Sequence, residues 1–277
     1  MPVIALTQEM GALAKDVADG LAERLQLTTL RHEVVEHVAA RMHVSKSLIN
    51  RLREGKAGTI ERLRADRDSM AVYTAEEVLE LAARGNVVLR GWGATCLLRP
   101  VPHAVCVRVT RPMAARVAWL MAHLETDDAE FAEAEIRRSD QAHAARMHEQ
   151  FGVTWGDPLL YDLVLNTDRL SVETCVDMIR ALLLRPEFAE TETSRALLQA
   201  MALQARVRGA LRGHESTHGV NVTIDSNGDQ VTLRGIVVSN AEREQTALVA
   251  AAVPGVGSVD NQLRVMSGSK LFTSAKY

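Results

Sequence analysis

Over the first 184 positions, short apolar runs alternate with stretches of helical period. Val3-Ile4-Ala5-Leu6 has the uniformly apolar character of a strand covered on both faces. A polar turn containing Gly11 follows. Leu13, Val17, Leu21 and Leu25 then recur every four residues, which predicts a helix with Lys15, Asp16, Asp19, Glu23 and Arg24 on its other faces. From Arg31 to Ala83 the pattern is helical and charged, broken at Gly55 and Gly58, with Thr74 ahead of Glu76 and Glu77 as a helix-start signal. Asn86 to Arg90 predicts a second buried strand running into Gly91-Trp92-Gly93, and Ala104 to Val109 a third. Pro112 opens a helix with Val117, Leu120, Met121 and Leu124 on its apolar face, and another spans about Asp128 to His148. Tyr161 to Asn166 reads as a fourth strand and Val172 to Leu184 as its helix. This alternation predicts an α/β fold, a parallel sheet with helices on both faces, whose ligands lie at the C-terminal strand ends. Both glycine turns fall at such ends.

The rhythm changes after Arg185-Pro186-Glu187, which marks a domain boundary. One helix runs from about Thr193 to Leu211. Val220, Val222 and Ile224 then alternate with polar residues, and Asn227-Gly228 predicts a hairpin turn leading into Val231, Leu233 and Gly235. A helix over Ala241 to Val253 and a strand over Gly257 to Val265 complete a small α+β unit of order αββαβ. The expected organisation is 1–188, 189–268 and a flexible tail over 269–277.

Composition narrows the function classes. With 277 residues, 47% hydrophobic and 24% charged, the chain holds enough apolar material for two cores. Its net charge of −3 argues against coating nucleic acid by bulk charge, and 4% aromatics supply few stacking platforms for single strands. Cys96, Cys106 and Cys175 are widely spaced in apolar runs and read as buried thiols of a reducing compartment rather than metal ligands. The N-terminal residues show no basic leader, and no run approaches the roughly 18 apolar residues of a membrane span, so a cytoplasmic protein is expected. His32, His37 and His43 are spaced by five and six, which does not set one metal-binding helix face, and they read as surface residues. Trp119 and Trp155 fit packing roles, whereas Trp92, at a strand end, could also stack on a base.

Candidate chemistry starts at the first turn. A strand, a glycine loop and a helix near Lys15 bring backbone N–H groups, a helix N-terminus and an ammonium group together, the set a polyphosphate needs. Gly11-Ala12-Leu13-Ala14-Lys15 nevertheless has a single glycine and lacks the full G-x-x-x-x-G-K-[ST] string. Spacing alone favours an ordinary strand-to-helix turn with a surface lysine.

Residues 1 to about 184 resemble the cytidylate-kinase-like family of P-loop nucleoside monophosphate kinases. The matching stretches are Val3 to Leu25, Asn86 to Leu98, Val105 to Arg116, Ile136 to Ala145 and, most specifically, Trp155-Gly156-Asp157-Pro158 with Tyr161 to Thr167. The resemblance implies transfer of the ATP γ-phosphoryl group, with Mg²⁺, to CMP or dCMP. It also implies an acceptor-binding helical region near 31 to 83 and a lid in the helix containing Asp140. Lys15, Arg116, Arg137 and His143 would be its catalytic residues. Gly11, Ala12, Leu13, Ala14, Lys15, Asp16, Gly91, Trp92 and Arg146 would bind nucleotide, with Asp16 at the metal. Residues 193 to 268 resemble a BON domain through Val220 to Ile224, Asp229 to Gly235 and Val253-Pro254-Gly255 to Asn261. That implies a binding, sensing or assembly module for a protein, ligand or second copy.

Several positions depart from the kinase pattern. Gly-Ser-Gly-Gly is replaced by Gly11-Ala12-Leu13-Ala14, where Leu13 adopts positive φ only at a cost. Asp16 stands where a hydroxyl would hold Mg²⁺, Trp92 where an arginine would meet the acceptor phosphate, and His143, Arg146 and Met147 where the lid carries an arginine and tyrosines. Arg90 is a substitute for the lost arginine only if its side chain faces the same way. Arg138 reads as helix-face charge. Phosphoryl transfer rests on positioning and electrostatics, and each lost donor costs on the order of a hundredfold. The expectation is a nucleotide-binding protein with weakened or altered transfer coupled to a BON module, the alternative being an inactive pseudokinase-like sensor, regulator or scaffold.

Overall fold

The computed structural model describes residues 1–30 and 32–266. The expected tail over 269–277 lies outside the described residues. Two compact units divide between Leu198 and Gln199.

The first unit contains β1 (Val3–Gln8), α1 (Ala14–Leu25), β2 (Thr28–Leu30), α2 (His32–Arg41), α3 (Lys46–Arg53), α4 (Thr59–Arg64), α5 (Arg67–Arg84), β3 (Val87–Arg90), α6 (Ala94–Leu97), β4 (Ala104–Thr110), α7 (Met113–Leu124), α8 (Ala129–Phe151), β5 (Leu163–Asn166) and α9 (Val172–Leu183). Its five strands form a sheet of order β2-β3-β1-β4-β5, with every pairing parallel. Val3 to Thr7 are all buried, so both faces of β1 are covered by helices, as the apolar run predicts. Ile4, Leu6, Val105 and Val107 pack with Val17 and Leu21 of α1 and Val176 and Ile179 of α9. Burying each such side chain stabilises the fold by roughly 1.5–3 kcal/mol.

Two local readings are corrected. β2 has only three residues, Thr28-Thr29-Leu30, too short to show a period, and its place is set by pairing with β3. Thr74 lies inside α5 and does not start it. The Asp66 carboxylate accepts from the Ser69 N–H at 2.9 Å and fixes the helix start at Arg67.

The second unit holds most of α10 (Glu192–Gly213), then β6 (Thr223–Asn227), β7 (Gln230–Val237), α11 (Asn240–Ala251) and β8 (Ser258–Val265), with sheet order β6-β7-β8. This is the expected αββαβ order. Gly228 has φ +60° in the hairpin, a conformation glycine reaches without a Cβ penalty. Leu203, Val207 and Leu211 of α10 pack on Ile224, Val231, Leu233 and Leu263.

Candidate functional site

In the sheet order β2-β3-β1-β4-β5 the chain leaves β1 toward one side and β4 toward the other. The crevice beyond their C-terminal ends is therefore the switch point where open α/β sheets bind ligands. Here a side chain fills it. Glu9, one residue past β1, accepts from Arg108 Nη2 at 2.6 Å, Thr110 Oγ1 at 2.7 Å and the Arg111 N–H at 3.3 Å, and lies 3.6 Å from Arg116 Nη1. Arg108 sits in an otherwise apolar strand and is buried, so it requires such a partner. Arg116 is equally committed. It donates through Nε to the Met10 carbonyl at 2.7 Å and through Nη2 to both oxygens of Asp140 at 2.7 and 2.8 Å. Burial nevertheless pushes the Asp140 carboxyl above its usual range, against the pull of Arg116.

The string from Trp155 to Thr167 braces this arrangement. Trp155 donates from Nε1 to Thr7 Oγ1 at 3.0 Å, and its ring lies under the Arg108 guanidinium at 4.3 Å. The Trp155 carbonyl accepts from both Arg108 Nη1 and Tyr161 OH. Asp162 accepts from the Cys106 N–H and from Arg99, while Thr167 donates to the Ala12 carbonyl at 3.0 Å. These bonds tie the β1–α1 loop to β4 and β5.

At the β1–α1 corner Leu13 is the N-cap of α1 at φ +60°, ψ +20°. The backbone therefore keeps the left-handed turn that glycine would make, with a leucine side chain added, at roughly 1–2 kcal/mol. Gly11 is packed so closely that a Cβ there would meet the Trp119 ring at 3.1 Å and the Arg116 carbonyl at 3.2 Å. Lys15 points along the helix, its Nζ 2.9 Å from Asp19, with 66% of the side chain exposed. Asp16 is exposed in the first turn, where its charge already complements the helix dipole. Among the described residues no group of three or more His, Cys, Asp or Glu side chains could hold a metal ion. The departure from a Mg²⁺–triphosphate cradle lies in the cations, since Lys15 turns to Asp19 while Arg108 and Arg116 are held by Glu9 and Asp140; Asp16 alone is compatible with a Mg²⁺ that takes its other ligands from phosphate and water.

A cavity of about 370 Å³ lies elsewhere, between α3, the start of α5, the β3–α6 turn and α8. Its wall includes Arg53, Met70, Trp92, His143, Arg146 and Met147. In the turn, Gly91, Trp92 and Gly93 all have positive φ, at +82°, +60° and +70°. A tryptophan held in this region stores strain of the kind that gathers at functional sites. Its ring faces the Arg53 guanidinium at 4.5 Å. Gly93 has no room for a Cβ, which would fall 2.6 Å from the Phe151 ring. The His143 ring packs at 4.3 Å from that of Trp155, tilted by 37°, and burial, reinforced by Arg146, Arg53 and Arg108, drives its pKa down to about 3. It is a neutral imidazole at physiological pH.

A family model described as the cytidylate kinase-like family matches residues 3–169, more than half of the chain. The chain belongs to the cytidylate kinase-like family. A cytidylate kinase from Staphylothermus marinus is 26% identical over 156 residues, covering 55% of this chain and 87% of that protein. An uncharacterised protein from Eubacterium ventriosum shares the fold with a TM-score of 0.52 at 19% identity, over 66% of this chain and 98% of that one. A BON-domain model matches residues 201–267. The osmotically-inducible protein Y of Escherichia coli is 36% identical over 64 residues, 23% of this chain and 32% of that protein.

Within this kinase-like domain the expected site residues separate into three groups. Gly11 to Asp16 and Arg116 gather at the β1–α1 corner; Gly91, Trp92, His143 and Arg146 gather at the cavity, Gly91 beside Arg53. Arg137 and Arg138 do neither, since they pair with Glu133 and Glu135 on the surface of α8. Arg90 is buried at the end of β3. His37 departs from the surface reading, packing between Glu76 and Glu77 of α5 at 3.5 and 3.0 Å. Glu9, Arg53 and Arg108 were missed. Arg108 was discoverable, because a charge inside Val105-Cys106-Val107-Arg108-Val109 requires a buried partner.

Proposed function

We propose that the kinase-like domain binds a nucleotide in the cavity on the acceptor side and does not transfer phosphoryl groups, acting as a pseudokinase-like sensor joined in one chain to a BON module. The observation that carries this reading is Glu9: a carboxylate with three hydrogen bonds and a nearby second arginine occupies the crevice in which a donor phosphate would be stabilised. Transfer depends almost wholly on cations and N–H groups directed at the moving phosphoryl group. Here Arg108 and Arg116 are directed at Glu9 and Asp140 instead, and Lys15 at Asp19.

The opposing reading, an active ATP- and Mg²⁺-dependent CMP or dCMP kinase, requires Glu9 to leave these partners. Support for the sensor role comes from the BON domain, which supplies a place for a protein, ligand or second copy to read the nucleotide-bound state. The three free cysteines fit a reducing, cytoplasmic setting, and among the described residues no helix is long and apolar enough to cross a membrane.

A coupled assay with ATP, Mg²⁺ and a panel of nucleoside monophosphates tests the proposal, run beside calorimetry with the same compounds. Binding of a monophosphate without turnover is expected. Turnover that disappears in Lys15→Ala would overturn the sensor reading.

A further inference from the structure

In the second unit β8 is an edge strand, and among the described residues no strand pairs with its outer side. Its register with β7 runs without a bulge from Gln230 opposite Ser258 to Val237 opposite Val265. In a parallel ladder the backbone groups of alternate residues face the partner strand. The Met266 N–H donates to the Val237 carbonyl at 2.8 Å, whereas the Leu263 N–H turns to its own strand and donates to Asn261 Oδ1 at 3.2 Å. Val259, Asn261, Leu263 and Val265 therefore direct their N–H and C=O groups away from β7. The strand has no proline, lysine or bulge, the devices with which natural sheets blunt an exposed edge. Its side chains alternate between two faces. Val259, Leu263 and Val265 pack toward the core, while Asp260 and Arg264 share the open face with Gln262, which accepts from Arg234 of β7 at 2.9 Å. Among the described residues Asp260 accepts only from Gln262, and Arg264 has no carboxylate partner.

We propose that β8 pairs antiparallel with β8 of a second copy of this chain, about a two-fold axis through Gln262, joining the two small sheets into one. Residues whose backbone groups face outward must oppose one another, so the axis passes through a residue rather than between two. Only the axis at Gln262 sets Asp260 opposite Arg264 of the second copy, and symmetry makes that pair twice. The same axis sets Val259 opposite Val265 and Asn261 opposite Leu263. Asp260 and Arg264 then form non-hydrogen-bonded pairs, in which cross-strand side chains stand closest and opposite charges attract. The Leu263 N–H exchanges the Asn261 side chain for the Asn261 carbonyl of the second copy. This charge pattern commits the edge to a second copy, because the strand is complementary to itself. The proposal deepens the reading of the BON domain as an assembly module and is independent of what the kinase-like domain binds.

The test is sedimentation velocity on the full chain over a concentration series, with charge variants at the two paired positions. Wild type is expected to dimerise. Asp260→Arg and Arg264→Asp each set like charges against one another twice across the axis, and each should weaken dimerisation by about tenfold or more. The chain carrying both changes has its charges exchanged and should return to within about threefold of wild type. Melting followed by circular dichroism reports whether each variant is folded, and both side chains lie on the open face of the sheet. Gln262→Cys meets its own copy on the axis and should cross-link under mild oxidation, whereas Thr223→Cys on β6, the opposite edge, should not. Hydrogen exchange read by NMR should find the Val259, Asn261 and Val265 amides protected in the dimer and open in dilute protein. A monomer at every concentration overturns the proposal, as does a dimer indifferent to both charge reversals, or amides already protected in the monomer. Such a failure leaves the BON domain as a module for a different protein or ligand, and leaves the nucleotide reading untouched.

Discussion

Acidification should destabilise the kinase-like domain through His143, and the size of the effect follows from its surroundings. The imidazole is buried against Trp155, with Arg146, Arg53 and Arg108 all disfavouring a second proton, so its folded-state pKa of about 3 lies far below its ordinary value near 6.5. The unfolded chain therefore binds a proton that the folded chain refuses. The stabilisation is complete above the unfolded pKa and is lost as pH falls from about 6.5 toward about 3, at up to ~1.4 kcal/mol per pH unit. At pH 5, where most carboxylates are still ionised, the loss reaches roughly 2 kcal/mol. Urea denaturation followed by tryptophan fluorescence measures it, because Trp92, Trp119 and Trp155 all lie in the first unit. His143→Gln supplies the control, since it keeps a polar side chain that does not titrate. His103 is also buried with a lowered pKa, and its contribution cancels in the comparison. Wild type should lose about 2 kcal/mol more than His143→Gln between pH 7.5 and 5.0. Equal losses in the two proteins would refute the assignment of a buried neutral imidazole.

Further perturbations probe the corner and the cavity separately. Arg116→Ala leaves Glu9 and Asp140 short of a buried cation and should cost about 3 kcal/mol in urea denaturation. Lys15→Ala removes only an exposed i,i+4 pair, so stability should change by less than about 0.5 kcal/mol and nucleotide binding to the cavity should be unaltered by calorimetry. Gly93→Ala places a methyl group 2.6 Å from the Phe151 ring at a φ of +70°, and a loss of about 2 kcal/mol together with weaker ligand binding is expected. Cys106, with burial pushing its thiol to about 12, should resist alkylation at pH 8 in the native protein and react once urea unfolds it, as mass spectrometry of the digested protein would read out.

Strands such as Val3 to Leu6 and Ala104 to Val109 were legible because burial on both faces leaves an apolar run, and α1 because its buried stripe repeats with the helical period. β2 was not, since three residues carry no period and its pairing with β3 is a long-range event. The same division holds in the site. The glycine turns marked where to look, and the departures from Gly-Ser-Gly-Gly and from the lid pattern raised the expectation of altered phosphate contacts. What fills the gap depends on separations that sequence does not encode: Glu9 and Arg108 are 99 residues apart, and Arg146 and Arg53 are 93. Leu13 shows the limit of local rules. Its aversion to positive φ predicts a reshaped turn, yet the loop, pinned by Thr167 and Arg116 on its flanking carbonyls, holds the leucine in the glycine conformation.

The two changed regions bear on one another through their charges. A crevice evolved for phosphate concentrates cations, and such cations without an anion destabilise the empty protein. At the β1–α1 corner Glu9 and Asp140 neutralise Arg108 and Arg116 from within, so that this part of the domain is held together without a ligand. In the cavity the balance is different: burial holds His143 neutral, and Arg146, 3.5 Å from it, is attracted by Glu149, a carboxylate that Arg67 also holds. The corner is thus charge-balanced from within, and in the proposed reading it is the cavity that a ligand would occupy. Under the proposed function, a ligand bound there at free concentration L would stabilise the folded domain by RT ln(1 + L/Kd). That linkage holds for a catalyst binding its substrate as much as for a sensor, so turnover rather than stabilisation separates the two readings.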